Sequence, residues 1–594
     1  MAGLPKKTSD QSPILKRAWQ NLALRLHTSP LLKFDLGLNA PDRLLAVPAP
    51  PQRGDAKIAR DIYAGLFEFA GESVETGENS PFSLTGPSAF WLGKLHGFTW
   101  LRHLDKAATP LARSNAQVLV GDWILNNSRS QKGTPWQVEV VANRIISWMN
   151  FAPLIIEETD PQYRRTFLHS IGAQARYLEM AIHTAPQGMP QLKAAISMAY
   201  AALCLGRQSA SAQKKQLIQA TRILDQQLQQ QFLADGGHIS RNPDEALQAL
   251  SCLLPLHQLY SSLAAEPPAS LQGVFDRALP MVSFFRHRDG HTALFNGAKN
   301  GDQDLLEQVL RSGRQSGTAP DNAVHSGYQR LSAGSTLIIA DTGKALSQEL
   351  SRRIHAGCLS FELSSGSRRF VVNCGGVPQS GQRYALLARS TAAHSTATLN
   401  DTSSCRTRHE NHNQAPALEG ITKVSVNRSG DENGDTICAS HDGYLDPFNW
   451  IHERTLFLAK DGNLVNGADR FFTGEGRVQS AQLAIRFHLH PQVKAELTGN
   501  GISVLLQSSD GDGWKFTCID ARLSLEDSIF FDDPVQNSRQ IVLTATIDAP
   551  CEFRWTFERT GSGEQSRLDD PVSVSRSEGL LDVLVRGDAD AKDK

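Results

Sequence analysis

The feature that most constrains this chain is a change of hydrophobic period about halfway along it. From about residue 55 to residue 311, segments such as NRIISWMNFAPLII and LKAAISMAYAALCLG place apolar residues at i, i+3 or i+4, and i+7. This is the period of amphipathic helices. Short turns that contain Gly or Pro separate the segments. The first part of the chain is therefore predicted to be a series of packed helices.

After the polar stretch RSGRQSGTAPDNAVHSG, the pattern becomes one of short β-rich runs such as STLIIADTG, with Asn-Gly and Asp-Gly turn signals between them. Strands that alternate with tight turns are typical of sheets packed face to face. We predict a multidomain α+β protein with an irregular lead-in over 1–54, a helical domain over 55–315 and an antiparallel β-sandwich over 316–594. Two domains also suit the 594-residue length, because a single core stops growing at about 250–300 residues.

The helical segments show no fixed repeat of the ~30–45 residues that a solenoid needs. A closed (α/α) toroid is therefore the predicted arrangement of the helices.

The charge of the chain is balanced, with 60 Lys and Arg against 61 Asp and Glu. No overall field favours nucleic acid or an anionic membrane, so we predict no nucleic-acid partner. The eight cysteines form no CxxC pair and several lie in apolar runs, which indicates reduced, structural residues.

The N-terminal sequence MAGLPKKTSDQSPILKRAW lacks the apolar run of ~7–15 residues that a signal peptide needs. The most apolar segment, Ala194 to Gly206, is shorter than the ~20 residues that span a bilayer and favours a buried helix. We predict no transmembrane segment. The sequence carries no signal for oligomeric state.

Several blocks in the second half resemble the heparinase II/III-like family. They are HSGYQRLSAGSTLIIADTG, HAGCLSFELSSGSRRFVVNCG, RSTAAHSTATLND and IHERTLFLAKDGNLVNGADR. In the first half, WQVEVVANRIISWMNF, GGHISRNP and FFRHRDGHTALFNG are similar to helical-domain blocks of a bacterial branch of that family.

The resemblance implies an (α/α) toroid, an antiparallel β-sandwich, and cleavage of uronate-containing polysaccharides by β-elimination. In that reaction the enzyme neutralises the uronate carboxylate, removes the C5 proton and supports the departing O4. The family often works in the periplasm, whereas this N-terminus has no recognisable signal and reads as cytoplasmic.

The resemblance also implies a zinc site. Family members use two histidines and an acidic residue, and the matching positions are His355, His394 and Asn373. Imidazoles suit zinc, but an amide is a poor replacement for a carboxylate. The alternative is that both histidines hydrogen-bond within the sandwich.

Other family positions are substituted. Arg353 stands where relatives carry a histidine that neutralises the uronate, and a guanidinium can pair with a carboxylate on two oxygens. It can equally be a solvated Arg. The family's Asn-His pair is absent near Lys193, and Asp244 and Glu245 follow the GGH turn where a Tyr is expected.

Replacement groups occur in the same blocks. His238 follows two glycines, where a loop exposes an imidazole that titrates near neutral pH. Arg241, Tyr328 and Tyr444 are the other catalytic candidates. Tyrosines that flank strands also often simply pack.

Five residues of the helical part are candidates for substrate binding: Asn143, Arg144, Trp136, Trp100 and His103. Sugar rings stack on aromatic faces and cations meet uronate carboxylates. The alternatives are that the tryptophans belong to the core and that Asn143 and Arg144 make helix-packing hydrogen bonds.

The leading hypothesis is a lyase acting on an acidic polysaccharide or oligosaccharide, with Arg353 or Arg241 neutralising the uronate and His238 or a tyrosine as base. One alternative is a non-catalytic glycan-binding or envelope-assembly protein on the same fold. Another is a hydrolase that uses metal-activated water at His355 and His394.

Overall fold

The structure is a computed structural model. It describes residues 40–49, 53–69, 71–77, 79–128, 130–313, 317–378, 383–409, 415–474 and 478–560. The chain divides into two compact units. Unit 1 runs to Gln231 and includes Ala249–Gln272, and unit 2 comprises Phe232–Gln248 and the chain from Gly273 onward.

Helices dominate the first part of the chain. They are α1 (Ala56–Tyr63), α2 (Ala89–Gly97), α3 (Leu101–Ala107), α4 (Pro110–Asn127), α5 (Val138–Asn150), α6 (Ala152–Ile156), α7 (Pro161–Ala181), α8 (Met189–Cys204), α9 (Ala210–Gln231), α10 (Pro243–Ser262), α11 (Leu271–Phe284) and α12 (Gln303–Ser312).

Local sequence signals explain where these helices begin. Asp160 caps α7 by accepting hydrogen bonds from the backbone N–H groups of Gln162 and Tyr163, and Pro161 occupies the first helical position. Helix α8 carries the most apolar segment and is buried on nearly all sides, as predicted. Among the described residues, no helix combines the length and apolarity needed to cross a membrane.

Antiparallel sheets dominate the second part. Their strands are β5 (Asn322–Ala323), β6 (Tyr328–Ala333), β7 (Thr336–Asp341), β8 (Phe361–Ser365), β9 (Arg368–Val372), β10 (Ala397–Leu399), β11 (Arg406–Arg408), β12 (Ala417–Glu419), β13 (Val424–Gly430), β14 (Gly434–His441), β15 (Trp450–Ala459), β16 (Leu464–Thr473), β17 (Ala481–Leu489), β18 (Lys494–Leu497), β19 (Ser503–Gln507), β20 (Gly513–Cys518), β21 (Arg522–Phe530), β22 (Gln536–Ile547) and β23 (Cys551–Thr560). Short pairs β1–β4 (Arg43–Leu44 with Leu205–Gly206) and β2–β3 (Leu66–Phe69 with Glu72–Glu75) lie earlier in the chain. Two short helices, α13 (Ala385–Ala388) and α14 (Leu445–Phe448), interrupt the strands.

The two large sheets share one hydrophobic core. One sheet has the order β21-β22-β17-β9-β8-β7-β6-β5, with β10 also paired to β17, and the other has β13-β14-β15-β16-β23-β20-β19-β18. Phe361 of the first sheet stacks on Trp555 of the second, with ring centroids 5.6 Å apart. Buried and half-buried residues alternate along the whole of β15, as expected for a strand with one face in a core. This order of helices followed by antiparallel sheets confirms the predicted fold class.

The units and the predicted domains are drawn differently. The sequence placed the boundary at residue 315, whereas Phe232–Gln248 and residues from Gly273 group with the sheets. Most of the predicted lead-in, residues 1–39 and 50–52, lies outside the described residues. All eight cysteines are described, and all are free.

Candidate functional site

The histidine of the Gly-Gly-His turn is buried rather than exposed. Its side chain has an exposed fraction of 0%, and its Nδ1 lies 2.8 Å from the Ser240 hydroxyl and accepts the backbone N–H of Ser240 at 3.3 Å. Burial lowers the pKa of His238, and this outweighs the opposing effect of the Glu245 carboxylate. His238 is therefore a neutral imidazole near pH 7, not the loop residue open to solvent that the sequence suggested.

The Glu245 carboxylate lies between His238 and Arg353. Glu245 Oε2 lies 3.4 Å from His238 Nδ1, and Glu245 Oε1 lies 3.5 Å from Arg353 Nη1. The exposed fractions of the Glu245 and Arg353 side chains are 15% and 41%. This Glu245–Arg353 pair contains the most exposed of the predicted catalytic residues.

Arg241 is committed to a buried ion pair. Its Nη2 donates to Asp341 Oδ1, and its Nε donates to the Ser326 carbonyl at 2.7 Å. Burial alone would lower the pKa of Arg241, but the Asp341 carboxylate outweighs burial and raises it above its ordinary value. The Nε–Nη2 edge of this guanidinium is therefore already engaged and cannot neutralise a uronate.

Tyr328 completes the same buried group. Its hydroxyl donates to the Arg241 carbonyl at 2.6 Å and accepts from Asn296 Nδ2 at 2.7 Å. Asn296 Nδ2 also lies 3.2 Å from Asp341 Oδ2. Burial raises the pKa of Tyr328. We call Arg241, Asp341, Tyr328, Asn296 and Ser326 the Arg241 network.

The two predicted zinc histidines lie side by side. His355 Nδ1 is 3.2 Å from His394 Nε2, and His394 Nδ1 faces the Ser390 carbonyl at 2.8 Å. Burial lowers the pKa of His394 to about 4 and holds the pKa of His355 well below its usual range. Both imidazoles are therefore neutral, and a proton on His394 Nδ1 leaves its Nε2 as the acceptor.

The third predicted zinc position does not complete a metal site. Asn373 Oδ1 accepts the Ser395 N–H at 3.0 Å, and Asn373 Nδ2 donates to Glu362 Oε1 at 3.2 Å. Within the described ranges, no group of three His, Cys, Asp or Glu side chains is placed to hold a metal ion. An amide with both atoms engaged does not fit the third ligand of a zinc centre.

Glu362 organises this part of the interior. Its carboxylate accepts hydrogen bonds from the backbone N–H groups of Leu294 and Asn373 at 3.1 and 3.0 Å. His287 Nε2 lies 3.0 Å from Glu362 Oε2. The exposed fractions of the His287 and Glu362 side chains are both 0%. A buried carboxylate with this many partners is a structural anchor.

Tyr444 is also enclosed. Its hydroxyl donates to the Ala397 carbonyl at 2.8 Å, and burial raises its pKa. The side chain packs in the core that the two sheets share. It is a packing residue, which is the alternative that the sequence left open.

The aromatic candidates of unit 1 pack in its core. Trp100 donates its indole N–H to the Leu95 carbonyl at 3.0 Å, and Trp136 donates to Asn127 at 2.9 Å. His103 Nδ1 accepts the Asp55 N–H at 2.9 Å. All three are buried, so they present no open ring face on which a sugar could stack.

Arg144 is buried without a carboxylate among its described partners. Its guanidinium lies over the Trp123 ring, 3.9 Å from the centroid, and donates to Gln174 Oε1 at 2.7 Å and to the His96 carbonyl at 2.8 Å. Burial holds the pKa of Arg144 well below its usual range. Its neighbour Asn143 is half-buried. Arg144 thus makes the helix-packing contacts that were the alternative to substrate binding.

Unit 2 therefore brings seven predicted residues into one region: His238, Arg241, Tyr328, Arg353, His355, Asn373 and His394. The sequence interpretation missed Glu245, Asp341 and Glu362, which hold these groups together. Glu245 had one usable signal, because it lies in the segment Asp244–Ala246 where the resemblance leads one to expect a tyrosine. Nothing local marks Asp341 or Glu362 in the apolar strands that carry them.

Comparison with known proteins agrees with the fold. Residues 315–556 match the family model "Heparinase II/III-like, C-terminal". A solved structure of heparinase III superposes with a TM-score of 0.66 and 16% identity, over 91% of this chain and 89% of that one. A heparan sulfate lyase HepC mutant from Pedobacter heparinus gives a TM-score of 0.58 and 16% identity, over 87% and 83% of the two chains.

One protein that is similar in sequence carries a name that refers to FtsZ and not to a lyase. The "FtsZ-localized protein C" of Caulobacter vibrioides is 27% identical over 542 residues, which cover 89% of this chain and 92% of that protein.

Proposed function

The chain carries a heparinase II/III-like C-terminal domain over residues 315–556, and we propose that it is a non-catalytic protein of this fold that acts in envelope assembly together with FtsZ. The observation that carries the proposal is the enclosure of the predicted proton-transfer groups. The side chains of His238, Tyr328 and Tyr444 are buried and already engaged with protein partners.

Beta-elimination needs a base within about 2.6–3.2 Å of the C5 proton of a bound uronate. A tyrosine whose hydroxyl both donates and accepts inside the protein has no remaining direction from which to meet a sugar. The raised pKa values of Tyr328 and Tyr444 also disfavour the phenolate that would remove the proton.

The exposed candidate cation, Arg353, already lies beside a carboxylate of the protein. Arg353 Nη1 faces Glu245 at 3.5 Å, so a uronate carboxylate that approached this nitrogen would compete with a protein carboxylate and would be repelled by it. This arrangement favours an interaction role over neutralisation of a substrate.

The sequence relative supports the cellular setting. "FtsZ-localized protein C" aligns with nearly the whole chain, including the helical part that the family model does not cover. A shared role beside FtsZ accounts for a likeness that extends over both units.

The test of this setting uses cells. A fluorescent fusion of the full chain is imaged together with FtsZ in its own organism, and FtsZ is then depleted. We expect the fusion to follow FtsZ and to disperse when FtsZ is lost. A fusion whose localisation does not match that of FtsZ, or does not change when FtsZ is depleted, contradicts the proposal.

A second candidate function is a lyase for acidic polysaccharides such as heparan-like, alginate-like or bacterial envelope glycans. The observation that favours it is Glu245, which lies in the segment where a tyrosine is expected and within 3.5 Å of both His238 and Arg353. In such a lyase the uronate carboxylate would take the place of Glu245 on Arg353. The freed Glu245 would remove the C5 proton, the electron pair left on C5 would form the C4=C5 double bond as the C4–O4 bond breaks, and the protonated Glu245 would return its proton to O4.

The lyase candidate predicts which variants lose activity. Glu245→Gln and Arg353→Met would each abolish release of the unsaturated product, whereas Glu349→Gln, which is outside the pair, would leave it unchanged. Equal product from the wild type and the Glu245→Gln variant would remove Glu245 from the reaction.

A further inference from the structure

The short helix α13 is turned outward in an unusual way. It exposes Leu386 and Leu387, whose exposed fractions are 55% and 37%, and buries Ala388. Ala388 packs with Cys374, Ala393 and Phe531. The turn therefore places its alanine inside and presents two adjacent leucines to solvent.

Arg389 fixes this turn to a neighbouring one. Its Nε donates to the Ile354 carbonyl at 3.0 Å and its Nη2 donates to the Ser351 carbonyl at 2.9 Å. The Arg389 carbonyl in turn accepts the Ala356 N–H at 2.9 Å. The exposed leucines therefore sit on a rigid support rather than on a free loop.

The segment that carries the two leucines has a net positive charge. Arg389 is 8% exposed, and in the described part of the chain no acceptor reaches its Nη1. Arg383, one turn before the leucines, is exposed and lies over the Tyr384 ring, 4.7 Å from the centroid. From residue 383 to residue 389, RYALLAR contains two arginines and no acid.

We propose that this Leu386 surface, residues 383–389 on the support of residues 351–354, docks an acidic protein segment that carries apolar side chains. The inference rests on the proposed function and names the part of the chain that meets the partner. Carboxylates of the partner complement the exposed Arg383, and its apolar side chains cover the two leucines.

The same features distinguish a protein segment from other ligands. Sugar rings are held by aromatic faces and fixed polar groups, whereas the exposed carbon surface here is aliphatic. Membrane binding needs a large apolar face or a lipid chain, and two leucines offer much less.

The experiment measures binding of the purified full chain to purified FtsZ and to a fluorescent peptide that alternates Glu and Leu residues. Wild type is compared with Leu386→Ser/Leu387→Ser and with Arg383→Glu. The matched controls are Leu497→Ser/Ile502→Ser, which remove an equally exposed apolar pair elsewhere in unit 2, and Arg522→Glu. Circular dichroism confirms that each variant is folded.

We expect the double leucine variant to weaken binding by about tenfold or more, because anchors at the centre of an interface carry most of its energy. Arg383→Glu should weaken it by roughly three- to tenfold at low salt and reduce its salt dependence. The control variants should stay within about twofold of wild type.

The outcomes separate the two proposals. If wild type binds FtsZ and the Leu386-surface variants bind equally well, the surface is wrong and the proposed function stands. If wild type does not bind FtsZ, direct contact with FtsZ is ruled out, and binding of the peptide then tests the Leu386 surface. Peptide binding that the leucine variant loses supports the surface, and absence of peptide binding overturns it. The proposed surface is also overturned if anionic vesicles or a heparan oligosaccharide displace the peptide and the double leucine variant binds the peptide as tightly as wild type.

Discussion

The Glu245–Arg353 pair and the Arg241 network both depend on the turn after Gly-Gly-His, yet their surroundings differ sharply. The Arg241 side chain has an exposed fraction of 6% and its partner Asp341 one of 2%, whereas Arg353 is exposed to 41%. In the network, each charged or polar group is satisfied by another part of the fold. The comparison teaches that two arginines tied to one turn can differ in burial: Arg241 is held inside the fold, whereas Arg353 pairs with Glu245 near the surface.

The largest effect should come from breaking the buried ion pair. Asp341→Asn leaves the Arg241 guanidinium without a counter-charge, and removal of one partner of a buried pair costs about 3–5 kcal/mol. Arg353→Met in the more exposed pair should cost less than about 1 kcal/mol. Urea denaturation of the two variants measures the change in the free energy of unfolding. Equal losses of stability in both variants would contradict the difference between the two regions.

A smaller effect is expected on the pH dependence of stability, through His238. Because His238 has a lowered pKa in the folded chain, the unfolded chain takes up its proton first as the pH falls. The stabilising contribution is complete above about pH 6.5 and declines below it by up to about 1.4 kcal/mol per pH unit until the folded pKa is reached. His238→Asn should flatten the decline between pH 7 and pH 5.

The control for this pH profile is His169→Asn, since His169 is exposed. Its profile should match that of wild type. An unchanged slope in His238→Asn would contradict the burial of a neutral imidazole in the turn.

The next effect tests the hydroxyl of Tyr328. Tyr328→Phe leaves Asn296 Nδ2 without one of its acceptors and the Arg241 carbonyl without its donor, which should cost about 1–3 kcal/mol. Tyr384→Phe, on the half-buried Tyr384, should change stability by less than about 0.5 kcal/mol. Thermal unfolding compares them, and a neutral Tyr328→Phe would mean that its hydroxyl is not part of the network.

A weaker change is expected at the Glu245–Arg353 pair. Glu245→Gln removes the carboxylate that occupies Arg353, so affinity for a uronate oligosaccharide should rise by roughly two- to fivefold at low salt. Isothermal titration calorimetry of wild type, Glu245→Gln and Glu349→Gln measures this. Weaker binding by Glu245→Gln would show that Glu245 contacts the sugar favourably.

The smallest expected effect is on metal content. Because Asn373 is held by Ser395 and Glu362, zinc added during purification should not raise the melting temperature of wild type. Elemental analysis should give equal, near-zero zinc in wild type and in His355→Ala/His394→Ala. One zinc per chain in wild type, lost in the variant, would restore the zinc site implied by the resemblance.

The sequence predicted the fold because its signals are local. The alternation along β15 and the Asp461-Gly462 turn that follows it specify a hairpin, and Gly462 adopts the positive φ of 75° that such a turn requires. The apolar run of α8 likewise predicts a buried helix from its own residues.

The chemistry of the site was less predictable because its partners are distant in sequence. Arg241 and Asp341 are separated by 100 residues, and no local pattern links them. A histidine after two glycines suggests exposure, but Ser240 and Glu245 enclose it. The positions of the family motifs were recognisable, whereas their burial depends on the packing of the whole unit.

The most direct test of non-catalysis is the near-ultraviolet absorbance of unsaturated uronate. Wild-type protein is incubated at high concentration with heparan-type, alginate and bacterial acidic polysaccharides, with an active heparinase III as the positive control. Enclosure of His238, Tyr328 and Tyr444 predicts no rise with any glycan while the control responds. A steady rise that scales with protein concentration, and that Glu245→Gln abolishes, would contradict the account and establish a lyase.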